Sequence, residues 1–257
     1  MRARAGPGPE QAAEVIRLAR PGWLIAALFA IGFGSKLHGV VSEETLFTRF
    51  PSEDGYLMMT IARNLATGLG MTTAAGTLPT NGTQPLSMLL FSGAFALVGG
   101  DRFLGVQLIL VLELLIASLT ALALFLLGRR VLAGRAYADL AAALAAAVWY
   151  SSTLNLRFSM NCLETGLYAL AVLVVARVTL SLDDRTSWRQ MAGFGLLLGV
   201  VFWVRNDAIF LIAAAAAVTV GMGGPRTRSR ILGRAARMGV ACAAAFLVAL
   251  PWLLYNW

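Results

Sequence analysis

The stretch 103–127, FLGVQLILVLELLIASLTALALFLL, decides how the rest of the chain is read. It holds one charged residue, Glu113, and as an α-helix it would run about 37 Å at 1.5 Å per residue. A bilayer's hydrocarbon core is about 30 Å thick, so the stretch reads as a membrane span. The surrounding chain agrees: of 257 residues, 58% are apolar and 13% charged, with a mean hydropathy of +0.74, whereas soluble domains carry about 25% charge. An ordinary soluble enzyme is excluded. Further apolar stretches at 23–41, 137–156, 163–182, 188–204, 208–223 and 238–257 bring the predicted crossings to seven. The expected fold class is all-α: a polytopic helical bundle of residues 23–257, preceded by a cytoplasmic arm over 1–22.

Charge sets the expected orientation. Every cation except Lys36 is an arginine. With the N-terminus inside, the cytoplasmic segments carry Arg2, Arg4, Arg17, Arg20, Arg129, Arg130, Arg135, Arg185, Arg189, Arg226, Arg228, Arg230, Arg234 and Arg237. The outer side keeps Arg49, Arg63, Arg102, Arg157 and Arg205, a split of 14 to 5 that obeys the positive-inside rule. In a membrane chain this basic excess needs no nucleic acid as partner. Cys162 and Cys242 fall in different predicted spans and suggest neither a disulfide nor a thiolate metal site.

Two segments test that topology. Residues 84–99 are apolar but only about 24 Å long as a helix, and counting them as a crossing would turn Arg129, Arg130 and Arg135 outward; a re-entrant or interfacial helix is expected instead. Residues 191–222 are interrupted by Arg205, Asn206 and Asp207. One unbroken helix would leave these at bilayer depth, so two helices joined by an outward turn are expected. The alanine runs 141–147 and 213–217 suit close helix packing.

The polar clusters then gather on one face. The first outer loop, 42–102, is too long for a plain connector. Within it Leu57, Met58, Ile61, Leu65 and Leu69 recur at helical spacing after an entry at Pro51 and an N-cap at Ser52, which predicts an amphipathic helix along the membrane surface. Its first turn holds Glu53 and Asp54, where the helix dipole favours ionised carboxylates. Such a pair can accept a proton from a hydroxyl or ligate Mg²⁺ or Mn²⁺, or can simply be a solvated helix start. A glycine-, threonine- and proline-rich stretch follows. Its Asn81-Gly82-Thr83 sequon is discounted because the arginine and alanine bias suggests a high-GC bacterium. Asn161-Cys162-Leu163-Glu164 and Arg205-Asn206-Asp207 complete the outer set.

These residues carry a resemblance. Glu53-Asp54-Gly55-Tyr56, the run IARNLATGLG at 61–70 and PTNGTQPL at 79–86 resemble the first outer loop of GT-C class integral-membrane glycosyltransferases. The nearest likeness is to bacterial relatives of protein mannosyltransferases, aminoarabinose transferases and arabinofuranosyltransferases. NCLETGLY at 161–168 is similar to their N-G-M-E-T-A-L-Y segment, WVRNDA at 203–208 to their R-P-D/E turn, and PWLLYN at 251–256 to a further motif. Here the usual Asp-Asp pair is Glu53-Asp54 and Asn206 stands in place of a proline. Those relatives have roughly ten or more spans, so the resemblance implies that the chain would correspond to their N-terminal portion, as a fragment or one half of a split gene.

The resemblance implies an enzyme of the cell envelope in the bacterial inner membrane, with its active face extracytoplasmic. It would move a sugar from a polyprenyl-phosphate donor to a glycan, lipid or protein acceptor, with inversion. Phosphate is already a good leaving group, so one base and cationic help suffice, unlike a glycosidase with two carboxyl groups. Asp54, with Glu53 as alternate, is the candidate base. Arg205 is a candidate for the phosphate, with pairing to Asp207 or reaching for the headgroups as the alternatives. Arg63, Tyr56, Asn81, Asn161, Glu164 and Asp207 are further substrate-binding candidates, with a cap on the outer end of its own span as the alternative role for Glu164. Lys36 and His38 face either phosphate or headgroups. Glu113, about 15 Å into its span, is a functional suspect without a motif partner. The competing readings are a transporter or flippase using Glu113, Arg177 and Lys36, and a non-catalytic half that scaffolds a separately encoded partner.

Overall fold

A computed structural model describes residues 9–81, 83–222 and 227–257. Arg2, Arg4, Gly82 and Arg226, with the side chains of Arg17 and Arg20, lie outside the described residues. The described chain is helical without strands: α1 (Pro9–Val41), α2 (Glu43–Thr48), α3 (Glu53–Ala66), α4 (Pro85–Leu97), α5 (Arg102–Val131), α6 (Ala138–Ser151), α7 (Thr153–Ser159), α8 (Thr165–Thr179), α9 (Trp188–Val204), a 3₁₀ turn (Asn206–Ala208), α10 (Ile209–Met222) and α11 (Arg228–Tyr255). Among the described residues three helices are long and apolar enough to cross a bilayer: α1 over Gly22–Val41, α5 and α11. The chain is thus a helical membrane protein by length and composition. Helices α6, α8, α9 and α10 have 14 to 17 residues, or about 21 to 26 Å.

Several boundaries differ from the sequence reading for identifiable reasons. Helix α1 starts at Pro9 and runs unbroken through Pro21 into the apolar stretch. The span expected over 137–156 breaks at Ser152, whose extended backbone ends α6 and starts α7. The arginine-rich 228–237 segment, expected as loop, forms the first turns of α11. There Arg230, Arg234 and Arg237, at i, i+4 and i+7, share one face and meet Asp184 at 3.2, 3.3 and 3.9 Å, so a carboxylate offsets the crowding of like charges.

Contacts sort the helix ends into two sets. At one end Arg130 donates to Leu180 O, Arg177 to Leu126 O and Arg237 to Thr186 O, while Arg129 pairs with Asp139. These join the end of α5, the start of α6, the end of α8 and the start of α11. At the other end, Gln107 of α5 donates to Val40 O of α1, Arg205 meets Glu164, and Tyr255 of α11 reaches Thr80 O.

Among the described residues two large apolar cores, and a smaller one of Ala117, Ala121 and Tyr150, hold this arrangement. One packs Met58, Ile61 and Ala62 of α3 with Met88, Phe91 and Phe95 of α4 onto Ile109 and Leu110 of α5. Gly105 makes the approach possible, since a Cβ there would lie 2.2 Å from the Phe95 ring. The other unites α8 to α11, and its closest contact uses glycine rather than the alanine runs. Cβ atoms at Gly195 and Gly199 of α9 would lie 2.2 Å from Ala241 O and 2.5 Å from Val248 Cβ of α11. This is a Gly-x-x-x-Gly face admitting a neighbouring backbone. Of the predicted alanine runs, Ala142, Ala146 and Ala147 are buried as expected, whereas in 213–217 only Ala215 is fully buried.

Candidate functional site

Ser52 nucleates the site. It is the N-cap of α3, and its hydroxyl accepts from Gly55 N at 3.0 Å, which fixes the first turn holding Glu53 and Asp54. Its backbone N–H and its hydroxyl both donate to Asn161 O, at 3.1 and 3.2 Å. The acidic helix start is thereby tied to a loop more than a hundred residues away in sequence. Gly55 allows the contact, because a Cβ there would sit 2.3 Å from Asn161 O. Glu53 and Asp54 are exposed on this helix start.

The loop 161–164 then passes the connection on. Cys162 has φ +59°, a left-handed backbone that reverses the chain before α8. The Asn161 side chain accepts from the Thr165 hydroxyl at 3.2 Å. Glu164 occupies the N-cap position of α8, but its carboxylate makes no cap hydrogen bond. It meets Arg205 at 3.3 Å. Arg205 also holds Asp207 in a two-point contact at 3.0 and 2.9 Å and lies over the Tyr168 ring, 5.4 Å from its centroid. The hydrogen bond with Asp207 is the main cause holding the guanidinium above its ordinary pKa; burial opposes it, and the charges of Asp207 and Glu164 add to it. Two carboxylates on one guanidinium leave the cluster with a net negative charge.

The backbone explains why Arg205 stands at a helix junction. Helix α9 stops at Val204, Arg205 is extended at φ −152°, and the chain re-enters helix through the 3₁₀ turn Asn206–Ala208. Two helices joined by a turn were expected here, and two helices form. The C-terminal motif also arrives at this junction: the Trp203 and Trp252 rings lie 6.2 Å apart, and the Tyr255 hydroxyl reaches Thr80 O at 3.5 Å, next to the exposed Asn81.

Not every predicted residue joins this group. Arg63 donates to Gly100 O at 2.6 Å and lines a separate cavity with Tyr56. Lys36 is wholly buried, donating to Tyr150 O at 2.8 Å with its ammonium 4.1 Å from the Tyr150 ring centroid. It therefore faces neither phosphate nor headgroups. Arg177 is held at the opposite end of the bundle. Glu113, 4% exposed, is turned towards the backbone of Cys162 and Leu163, though neither carboxyl oxygen makes a hydrogen bond of regular geometry. The acid without a motif partner thus lies against the 161–164 loop. Sequence reasoning missed that contact, and missed Gly55 between Asp54 and Tyr56; the signal available was a glycine inside an otherwise regular helix pattern.

Among the described residues no group of three or more His, Cys, Asp or Glu side chains converges. A divalent ion at Glu53 and Asp54 would complete its oxygen shell from substrate and water. No known protein family, curated protein or solved structure matches the chain.

Proposed function

We propose that the chain is a polytopic inner-membrane glycosyltransferase of the GT-C kind, crossing the bilayer seven times with the Ser52–Arg205 end extracytoplasmic. It transfers a sugar from a polyprenyl-phosphate donor to an acceptor hydroxyl. One observation carries the reading: four motifs far apart in sequence meet at one end of the bundle. Ser52 joins the acidic helix start to Asn161, Glu164 joins that loop to Arg205, and Trp252 and Tyr255 close onto Trp203 and Thr80. Nothing in the hydropathy pattern requires that convergence.

In this reading Asp54, with Glu53 beside it, takes the proton from the acceptor hydroxyl as the new glycosidic bond forms. The bond from the anomeric carbon to the phosphate oxygen breaks on the opposite face, and the electron pair leaves with the phosphate. Arg205 receives that charge. Asp207 is its half-exposed partner and Glu164 its buried one, so the phosphate displaces Asp207 while Glu164 keeps the guanidinium in place. The basic end, with Arg129, Arg130, Arg230 and Arg237, is the cytoplasmic one. The transporter reading draws less support, because Lys36, Arg177 and Glu113 are held at separate places rather than along one path.

The test is the double amide Glu53→Gln with Asp54→Asn, made in the chain as its gene encodes it and in membranes containing any subunit that co-purifies. Transfer of radiolabelled sugar from the polyprenyl-phosphate pool should fall by about 10²- to 10⁴-fold, the usual contribution of a general base. Retained transfer removes the proposed base. Transfer that needs only the co-purified subunit identifies this chain as a scaffold.

A further inference from the structure

Another cavity, of about 330 Å³, lies where α6, α7 and α8 meet. Trp149 lines it from the end of α6, Asn155, Phe158 and Ser159 from α7, and Thr165 from the start of α8, with Ser152 at the break between α6 and α7. It borders the 161–164 loop, because the Thr165 hydroxyl donates to the Asn161 side chain at 3.2 Å.

Four of its lining side chains, Ser152, Asn155, Ser159 and Thr165, are polar, and none of its lining residues carries a charge. Ser159 is 3% exposed, yet its hydroxyl has no hydrogen-bond partner within the chain, and the buried Asn155 Nδ2 has none either. Ser152 occupies the N-cap position of α7 without making a side-chain cap bond. Thr165 spends its proton on Asn161, which leaves its oxygen able to accept. Buried polar groups in folded proteins nearly all have partners, so two unpartnered groups on one cavity wall point to what enters it. An ion would leave water here without a counter-charge. A hydrocarbon chain would leave the amide and the hydroxyl unpaired. Water alone would pair with them but gain nothing from Trp149 and Phe158. The ligand that meets every wall is neutral, with donors and acceptors along its edge and C–H groups on its face, since an aromatic face is electron-rich. The volume stands at the lower end of small-molecule sites and suits one ring.

We propose that this cavity binds one ring of a neutral saccharide, its hydroxyls paired with Asn155 and Ser159 and its C–H face against Trp149 and Phe158. The site uses neither Glu53, Asp54 nor Arg205, takes no phosphate, and does not rest on the transferase reading. A free glycan and the headgroup of a neutral glycolipid share this chemistry, and the experiment separates them.

The full chain is placed in phospholipid nanodiscs, so that no glucoside detergent competes, and titrated by saturation-transfer NMR with the methyl glycosides of glucose, mannose, galactose and xylose, with octyl glucoside below its micellar concentration, and with octanol. At least one glycoside should bind tenfold or more tightly than octanol. Octyl glucoside binding tenfold more tightly than every methyl glycoside identifies a glycolipid headgroup, and otherwise the ligand is a free glycan. Asn155→Leu and Ser159→Ala should each weaken binding about fivefold, the worth of one neutral hydrogen bond. Because each removes a buried polar group that has no partner in the chain, neither should lower the melting temperature without ligand, whereas a purely structural role for these side chains would lower it. Glu53→Gln with Asp54→Asn should leave glycoside binding unchanged, and farnesyl phosphate should not displace it, which keeps this site apart from that of a phosphate-linked donor. Binding of no glycoside, equal binding of octanol, displacement by farnesyl phosphate, or undiminished binding to a folded Asn155→Leu protein overturns the assignment.

Discussion

Replacing Gly55 by alanine tests whether the acidic helix start is seated on the 161–164 loop. The new Cβ would lie 2.3 Å from Asn161 O and 3.2 Å from Cys162 Cβ. Carbon and carbonyl oxygen rest at about 3.3 Å even in their closest favourable contacts, so α3 must retreat by about 1 Å. The obstacle is backbone, which no rotamer change removes. The two Ser52 hydrogen bonds to Asn161 O, at 3.1 and 3.2 Å, then stretch to about 4 Å and are lost. Overpacking costs about 1–3 kcal/mol and each of the two hydrogen bonds about 1 kcal/mol, giving about 3–5 kcal/mol together. At roughly 2–4 °C per kcal/mol for a chain of this size, the apparent melting temperature in detergent should fall by about 6–20 °C. Gly93 of α4 supplies the control, since a Cβ there meets nothing within 4 Å. In a helix interior alanine is favoured over glycine by up to about 1 kcal/mol, so Gly93→Ala should leave the melting temperature unchanged or raise it. Equal melting temperatures for Gly55→Ala and wild type would refute the seating of α3 on Asn161.

Three further outcomes follow from the packing and the charges. Arg205→Leu leaves Glu164, 8% exposed, without its cation and should cost about 2–3 kcal/mol by thermal unfolding; Asp207→Asn, on the half-exposed side of the same cluster, should cost less than about 1 kcal/mol. Asp184→Asn removes the carboxylate shared by Arg230, Arg234 and Arg237. Since Arg234 is 2% exposed, about 2–3 kcal/mol should be lost, and a neutral effect would mean these charges are solvated. In a Cys242→Ser background, cysteines at Asp54 and Arg205 should react with a membrane-impermeant maleimide from the same side of sealed vesicles, and one at Arg135 from the other side only. Labelling of positions 54 and 205 from opposite sides would dissolve the proposed catalytic pocket.

How much of this was legible beforehand depends on what makes each contact. Helices over apolar stretches were readable, as were the Ser52 cap and the break at Arg205, because each depends on a local property of a few residues. The division at Ser152 and the early start of α11 at Arg228 were not; the first turns of α11 are held through Asp184, a contact that no local pattern shows. The basic end is an intermediate case. Arginines at 230, 234 and 237 lie on one helical face by spacing alone, but nothing local says that Asp184 meets them. The site end was readable as separate motifs and unreadable as an assembly. Its long-range ties are mostly side chain to main chain: Ser52 to Asn161 O, Gln107 to Val40 O and Tyr255 to Thr80 O. Any residue can present a carbonyl, so the acceptor leaves no mark in the sequence that would identify its donor. The same reasoning explains Glu113, which faces the backbone of Cys162 and Leu163 rather than a complementary side chain. Perturbing the acceptor side of these ties therefore requires changes in backbone position, and among such changes Gly55→Ala is the smallest.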